Sequence, residues 1–240
     1  MKFWPWHTTK VKGNTLTIFR YGLIDEIKTS EASSSDENYL RLSPEVFKEH
    51  LFSLFNHAFK PISLEAYKIT TQASQENYFS IAFIGDYTAN RSAYEFLEAL
   101  GVPYYVFSYA CNFGDVPNPI LNNLTLDNIK KLEEKGIQDK LLYLGDTSEE
   151  SLIKAKSLEV ILKNTPARFR YFYSPDYINP ALYYILKHKN YLYALSSREG
   201  YVCGDFDQFN GLIPLNYDLP TVNATQYSAE EFESYLLSYR

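Results

Sequence analysis

Residues 78–90 have the sequence YFSIAFIGDYTAN, in which a short apolar run ends abruptly at a glycine and an aspartate. The run Tyr78–Ile84 has the length of one strand and is apolar at nearly every position, which is typical of a strand covered on both faces. Gly85 and Asp86 then supply a turn and the first charged side chain. The stretch therefore predicts a buried strand of an α/β sheet, with polar residues just after its carboxyl end.

Similar apolar runs recur along the chain and alternate with helical patterns. Strands are predicted at 15–23, 103–109, 141–144, 169–173 and 191–195. Helices are predicted from Ser43, from Ser63, and at 92–100, 125–135, 148–164, 180–189 and 230–237, while the polar stretch 29–37 is predicted to be a loop. Such alternation indicates βαβ units around a parallel sheet. We predict one α/β domain over residues 1–240, in which residues 1–14 form an N-terminal extension.

Composition and charge exclude several classes of protein. The formal net charge is −6, and no stripe of Lys and Arg provides a surface for nucleic-acid phosphates. The two cysteines have no CxxC spacing, so neither a zinc knot nor a disulfide framework is indicated. The chain starts without a signal-peptide pattern and has no apolar run of the ~20 residues that a membrane span needs. These features predict a cytoplasmic protein with no membrane span and no nucleic-acid partner.

Aromatic residues are abundant, with 22 Tyr and 16 Phe in the chain. Tyrosine rings suit carbohydrate binding, because they stack on a sugar face and also form hydrogen bonds. They equally suit core and strand positions. Both interpretations are open from the sequence.

Several segments, taken in order, resemble the polysaccharide deacetylases of the NodB-homology type, known as carbohydrate esterase family 4. AFIGDYTAN at residues 82–90 resembles that family's TFDDGYADN motif, and LTIFRYGLI at 16–24 resembles its first strand. Further matching segments are 43–64, 99–108, 124–137, 169–180, 191–201 and 219–232. The resemblance extends over most of the chain and implies an α/β fold that is a distorted (β/α)7-type barrel.

The resemblance also implies a divalent metal held by one Asp and two His, with a second Asp as general base. At the matching positions this chain has Ile84 for the base, Gly85 for the metal-binding Asp, and Leu142 and Asp146 for the two His. Hydrocarbon and bare backbone neither accept a proton nor bind such a cation. A one-residue shift of the alignment would place Asp86 at the metal position, but no His pair would complete the site.

The histidine inventory supports the same expectation. The chain has four histidines, and no two of them have the spacing of a metal-ligand pair. They are His7, His50, His57 and His188, of which His50 and His57 are predicted to be surface or packing residues. We therefore expect no metal, no cofactor and no metal-dependent deacetylase activity.

Polar residues nevertheless follow several predicted strands. Asp86, Asp146 and Asp176 are the candidate catalytic acids or bases, because carboxylates that share a pocket shift each other's pKa. The candidate ligand-binding residues are Tyr87, Asn90, Tyr177 and Tyr21. The alternative is that the aspartates only cap the following helices.

Two functions remain in competition. One is a non-catalytic or repurposed deacetylase-like protein of surface-polysaccharide metabolism, with a carbohydrate or protein partner. The other is a metal-independent enzyme that acts on a sugar or nucleotide-sugar through the strand-end carboxylates.

Overall fold

The structure is a computed structural model. It describes residues 13–25, 41–69, 75–85, 88–109, 141–144, 171–174, 178, 180–188, 191–204, 206, 209–210 and 212–238. The helices predicted at 125–135 and 148–164, the loop at 29–37 and most of the N-terminal extension lie outside the described residues.

The helices and strands follow each other in an order close to that predicted. The strands are β1 (Thr15–Tyr21), β2 (Leu23–Ile24), β3 (Arg41–Leu42), β4 (Lys60–Pro61), β5 (Asn77–Ile84), β6 (Tyr104–Tyr109), β7 (Leu141–Leu144), β8 (Tyr171–Ser174), β9 (Tyr193–Ser196), β10 (Val202–Cys203), β11 (Phe209–Asn210), β12 (Ile213–Pro214) and β13 (Val222–Asn223). The helices are α1 (Pro44–Asn56), α2 (Leu64–Ile69), α3 (Arg91–Ala99), α4 (Pro180–His188) and α5 (Ala229–Leu237). Short 3₁₀ turns cover Thr88–Asn90, Leu215–Tyr217 and Ala224–Gln226.

Six strands form a continuous parallel sheet in the order β1-β5-β6-β7-β8-β9. The predicted parallel sheet is therefore confirmed for these strands. β10 adds to the amino end of β1 in the antiparallel direction, where Leu16 pairs with Val202. Because parallel strands end at the same edge of a sheet, the carboxyl ends of these six strands lie at one edge.

The segment 219–223 connects the two ends of this sheet. Leu219 pairs in parallel with Leu195 of β9, and the Leu219 N–H donates to the carbonyl of Ala194. A few residues later, β13 pairs in parallel with β1, with Val222 opposite Phe19. The pairing thus runs from β9 through this segment back to β1. A sevenfold alternation of strand and helix stays a prediction, because the segments after β6 and β7 lie outside the described residues.

Buried side chains form separate clusters on the two faces of the sheet. The outer cluster packs the sheet against α1, α3 and α5, and includes Phe19, Tyr21, Phe47, Leu51, Phe79, Phe83, Leu97, Tyr104 and Phe232. The inner cluster joins opposite strands of the sheet, and includes Leu16, Ile18, Ala82, Tyr105, Phe107, Tyr171, Tyr173, Tyr193 and Leu195. Burial on both faces explains why β5 is apolar almost throughout. Many tyrosines therefore fill the core, as one of the two interpretations of the aromatic content predicted.

The predicted helix boundaries have the expected caps. The Val46 N–H donates to Ser43 Oγ at 3.3 Å, and Pro44 occupies the first turn of α1. α3 is followed by Gly101, whose φ of +67° lies in the left-handed region that ends many helices. Among the described helices, none is long and apolar enough to cross a membrane.

Candidate functional site

The carboxyl ends of β1, β5, β6 and β8 meet on the inner face of the sheet. Alternation along β1 places Leu16 and Ile18 in the inner cluster, so the next inward position is Arg20. Arg20 lies opposite Ala82 of β5, and Ile84 is the next inward residue of that strand. We call the residues that meet here the strand-end cluster, which consists of Arg20, Ile84, Phe107, Tyr173 and Glu199.

Arg20 connects β1 to the opposite part of the sheet. Its Nη1 donates a hydrogen bond to the Tyr173 hydroxyl at 3.2 Å, and its Nη2 lies 3.5 Å from Glu199 Oε1. The Arg20 side chain is only 19% exposed. Its Nε atom is buried and has no hydrogen-bond partner among the described residues. The cluster thus contains a largely buried positive charge whose hydrogen-bonding capacity is only partly used.

Glu199 provides the negative charge next to this guanidinium. Its side chain is 52% exposed, and its Oε1 also accepts a hydrogen bond from the Asn223 N–H at 3.3 Å. Partial burial raises the pKa of Glu199, while the Asn223 N–H and the charge of Arg20 act in the opposite direction. One carboxylate oxygen therefore bridges Arg20 and the β13 backbone.

Two aromatic rings complete the inner surface of the cluster. Phe107 and Tyr173 lie with their ring centroids 5.6 Å apart at an interplanar angle of 58°. Both rings are buried in the inner cluster, and Ile84 is a half-buried residue packed against it. The cluster therefore places a cation and a carboxylate over buried aromatic and apolar side chains. Such donor and acceptor groups orient ligands in small-molecule sites.

The end of β5 carries the residues that the resemblance aligns with the base and the metal-binding Asp. Ile84 presents a hydrocarbon side chain to the inner cluster. Gly85 is buried, has a φ of +100°, and donates its N–H to the Phe107 carbonyl at 2.7 Å. An L-residue is strained at that φ, so the backbone here is adapted to glycine.

Asn90, a predicted ligand-binding residue, is fully buried and bonded to backbone. Its Nδ2 donates to the Gly22 carbonyl at 3.0 Å, and its Oδ1 accepts from the Ile24 N–H at 2.6 Å. The amide thereby connects the start of α3 to the link between β1 and β2. This is a positioning role, and ligand binding by Asn90 stays a prediction.

Tyr21, the other described residue with a predicted ligand role, lies in the outer cluster. It packs edge-to-face against Phe47 of α1, and its hydroxyl lies 3.3 Å from His50 Nδ1. His50 is buried and stacks on Phe232 with centroids 4.1 Å apart, so the prediction that it is a packing residue is confirmed. Tyr21 thus faces the helices rather than Arg20, and its ligand role stays a prediction.

The remaining predicted site residues lie outside the described residues. They are Asp86, Asp146, Asp176, Tyr87 and Tyr177. The metal-independent chemistry that depends on the three aspartates stays a prediction. Within the part of the chain that the structure describes, no three His, Cys, Asp or Glu side chains are grouped as metal ligands would be.

Arg20 and Glu199, the central residues of this cluster, were not among the site residues predicted from the sequence. A signal for Arg20 was available, since it follows Leu16 and Ile18 at the period-two spacing of a buried strand face and is charged. No local signal identified Glu199, because its partner is 179 positions away along the chain.

Comparison with solved structures places this arrangement among known folds. IcaB from Ammonifex degensii superposes with a TM-score of 0.69 at 16% identity, covering 95% of this chain and 99% of that one. The Streptococcus pyogenes deacetylase PplD, solved in complex with acetate, superposes with a TM-score of 0.65 at 16% identity, covering 92% of this chain and 98% of that one. A polysaccharide deacetylase from Bacillus cereus superposes with a TM-score of 0.64 at 15% identity. The match covers 92% of this chain and 69% of that one.

Neither a family model nor a curated protein sequence matches the chain. At these identities the structural likeness concerns the fold and not the activity. The chain has an α/β fold that is shared with polysaccharide deacetylases.

Proposed function

We propose that this protein is a deacetylase-like carbohydrate-binding protein of polysaccharide metabolism, built on a distorted (β/α)7-type barrel, and not a metal-dependent deacetylase. The fold shared with polysaccharide deacetylases supports the carbohydrate assignment. The end of β5 supports the loss of the metal chemistry, and this is the observation that carries the proposal. Ile84 and Gly85 lie there, at the positions that the resemblance aligns with the family's two carboxylates.

The two described residues at the end of β5 do not fit a divalent metal. Ile84 packs its side chain against the inner cluster, and the N–H of Gly85 is bonded to the Phe107 carbonyl. A zinc-like catalytic cation is held by carboxylate, imidazole or thiolate side chains, which these two positions lack. The guanidinium of Arg20 on the same inner face adds a positive charge, which raises the electrostatic cost of a second cation nearby.

The strand-end cluster has the groups that saccharides require. Arg20 donates hydrogen bonds and Glu199 accepts them at a partly exposed position. Sugar hydroxyls need both donors and acceptors. Binding therefore does not require a catalytic metal.

Two assays on the purified full chain test the proposal. Acetate release from N-acetylated and O-acetylated oligosaccharides is measured with added zinc, cobalt or manganese, with and without a chelator, beside a competent deacetylase as positive control. Binding of the same oligosaccharides is measured by calorimetry. We expect saccharide binding without acetate release. Acetate release that the chelator abolishes would overturn the proposal, and so would the absence of binding to any saccharide.

A further inference from the structure

We propose that Arg20 binds the oxyanion group of an acidic saccharide, a carboxylate or a phosphate, and that Glu199 occupies this position until the ligand arrives. The inference rests on the proposed carbohydrate function and specifies its ligand class. It follows from the contacts and the exposure of the strand-end cluster.

The first argument is the incomplete bonding of a buried guanidinium. Arg20 is only 19% exposed, yet its bonds to the described residues are one to the Tyr173 hydroxyl and a longer contact to Glu199. Its Nε is buried with no hydrogen-bond partner there. A buried cation is costly unless it is paired and its N–H groups are bonded. The planar guanidinium matches carboxylate and phosphate in particular, because it forms two parallel hydrogen bonds with either group.

The second argument is that Glu199 is a weak and replaceable partner. Its Oε1 lies 3.5 Å from Arg20 Nη2, beyond the usual length of a charge-assisted hydrogen bond, and half of its side chain is exposed. The same oxygen also accepts from the Asn223 N–H. Glu199 therefore moves to solvent at small cost when a better-placed anion takes its position on Arg20.

The third argument is the surroundings of the guanidinium. Arg20 Nη1 bonds the hydroxyl of Tyr173, whose ring is buried with Phe107 in the inner cluster. The Nη2 atom contacts the half-exposed Glu199. An anion therefore approaches the guanidinium from the side of Glu199, while the buried Tyr173 holds its other side in place.

Two variants should change the affinity in opposite directions. Calorimetry on the full chain measures binding of trigalacturonate, of glucose 6-phosphate and of the neutral sugar cellotriose. Arg20→Met should weaken binding of the acidic ligand by about tenfold or more, because it removes a charge-assisted contact. Glu199→Gln should strengthen it severalfold, because it removes the competing anion. Cellotriose has no acidic group, so it should lose less affinity than the acidic ligands in Arg20→Met and should gain none in Glu199→Gln. The two acidic ligands distinguish a carboxylate from a phosphate.

Controls separate this inference from misfolding and from the broader proposal. Arg91→Gln removes an exposed arginine paired with Glu95 on α3, and should leave all affinities unchanged. Arg20→Lys keeps the charge without the planar geometry and should bind the acidic ligand at an intermediate strength. If Arg20→Met keeps the wild-type affinity for the acidic ligand, or Glu199→Gln weakens it, the inference is wrong. Binding of the neutral sugar alone contradicts the inference but not the proposed function, whereas no saccharide binding at all contradicts both.

Discussion

Arg20 and Asn90 show how single residues take on roles that their types alone do not specify. Arg20 places a charge at the end of a strand face that is otherwise apolar, and its position follows from the alternation of β1. Asn90 was predicted to bind a ligand, and its amide bonds two backbone groups, the Gly22 carbonyl and the Ile24 N–H. The polar side chain of such a residue, and its position near the end of a strand, predict where it lies. They do not predict which group it forms a hydrogen bond with.

Replacing Asn90 by alanine should destabilise the protein by about 3 kcal/mol, because it leaves the Gly22 carbonyl and the Ile24 N–H buried without this partner. Urea unfolding followed by circular dichroism measures the loss. Asn216→Ala is the matched control, since the Asn216 amide donates to the Leu192 carbonyl in an exposed hydrogen bond. The control should change stability by less than about 0.5 kcal/mol. Equal losses in the two variants would contradict the role given to Asn90.

His50 should make the stability of the protein depend on pH. Burial lowers its pKa to about 4, while the backbone oxygens of Ser228 and Tyr227 act in the opposite direction. In the unfolded chain its pKa is about 6.5, so between these two values the unfolded state binds more protons. The contribution of neutral His50 to the free energy of unfolding is therefore complete above pH 6.5. It falls by on the order of 3 kcal/mol as the pH drops towards 4.

Urea unfolding between pH 7 and 4 tests this dependence. His50→Gln should reduce the loss of unfolding free energy as the pH falls, because glutamine does not titrate. The carboxylates, Glu231 among them, contribute equally to both proteins. His188→Gln removes an exposed histidine and should leave the decline as in the wild type. An unchanged pH profile in His50→Gln would show that His50 is not held neutral by the fold.

Capping residues determine the ends of individual helices, and α5 shows the complete motif. The Glu231 N–H donates to Ser228 Oγ at 3.3 Å, and the Ser228 N–H donates to Glu231 Oε2 at 2.8 Å. Phe232 and Leu236 of this helix are buried in the outer cluster. The cap thus orients a helix that covers the sheet beside β1.

Ser228→Ala should lower the stability by about 1 kcal/mol, because it leaves the Glu231 N–H without its capping oxygen. Thermal unfolding measures this loss. Ser238→Ala, at the other end of α5, removes only an exposed bond to the Tyr235 carbonyl and should be nearly neutral. A neutral Ser228→Ala would mean that packing of Phe232 alone determines where the helix begins.

The helices and strands were predictable to the extent that their signals are local. The apolar run of β5, the serine before α1 and the glycine after α3 each indicate a boundary within a few residues. The pairing of Leu219 with Leu195, and of β10 with β1, depends on residues far apart in the chain and has no local signal. For the same reason the contact between Arg20 and Glu199 was not predicted.

At the scale of the whole molecule, the α/β fold is shared with polysaccharide deacetylases. The parallel sheet and its two clusters of buried side chains maintain the scaffold. Ile84, Gly85 and Arg20 determine what the described part of its carboxyl edge offers to a ligand. A scaffold supports several chemistries in this way, because the site depends on the strand ends and not on the core.

The backbone at Gly85 should resist restoration of an aspartate. Both Gly85→Ala and Gly85→Asp should cost about 1–2 kcal/mol, because each places a β-carbon on a residue whose φ is +100°. Urea unfolding of the two variants measures the cost. Similar losses would identify the backbone as the cause, whereas a neutral Gly85→Ala would show that the position accepts side chains freely.

The zinc content of the purified full chain tests the central claim most directly. The protein is incubated with excess zinc, dialysed against metal-free buffer and analysed for metal by mass spectrometry, beside a competent deacetylase treated in the same way. Since Ile84 and Gly85 at the end of β5 offer only hydrocarbon and backbone, we predict far less than one zinc per chain. One zinc per chain, retained through dialysis and required for acetate release, would contradict the account.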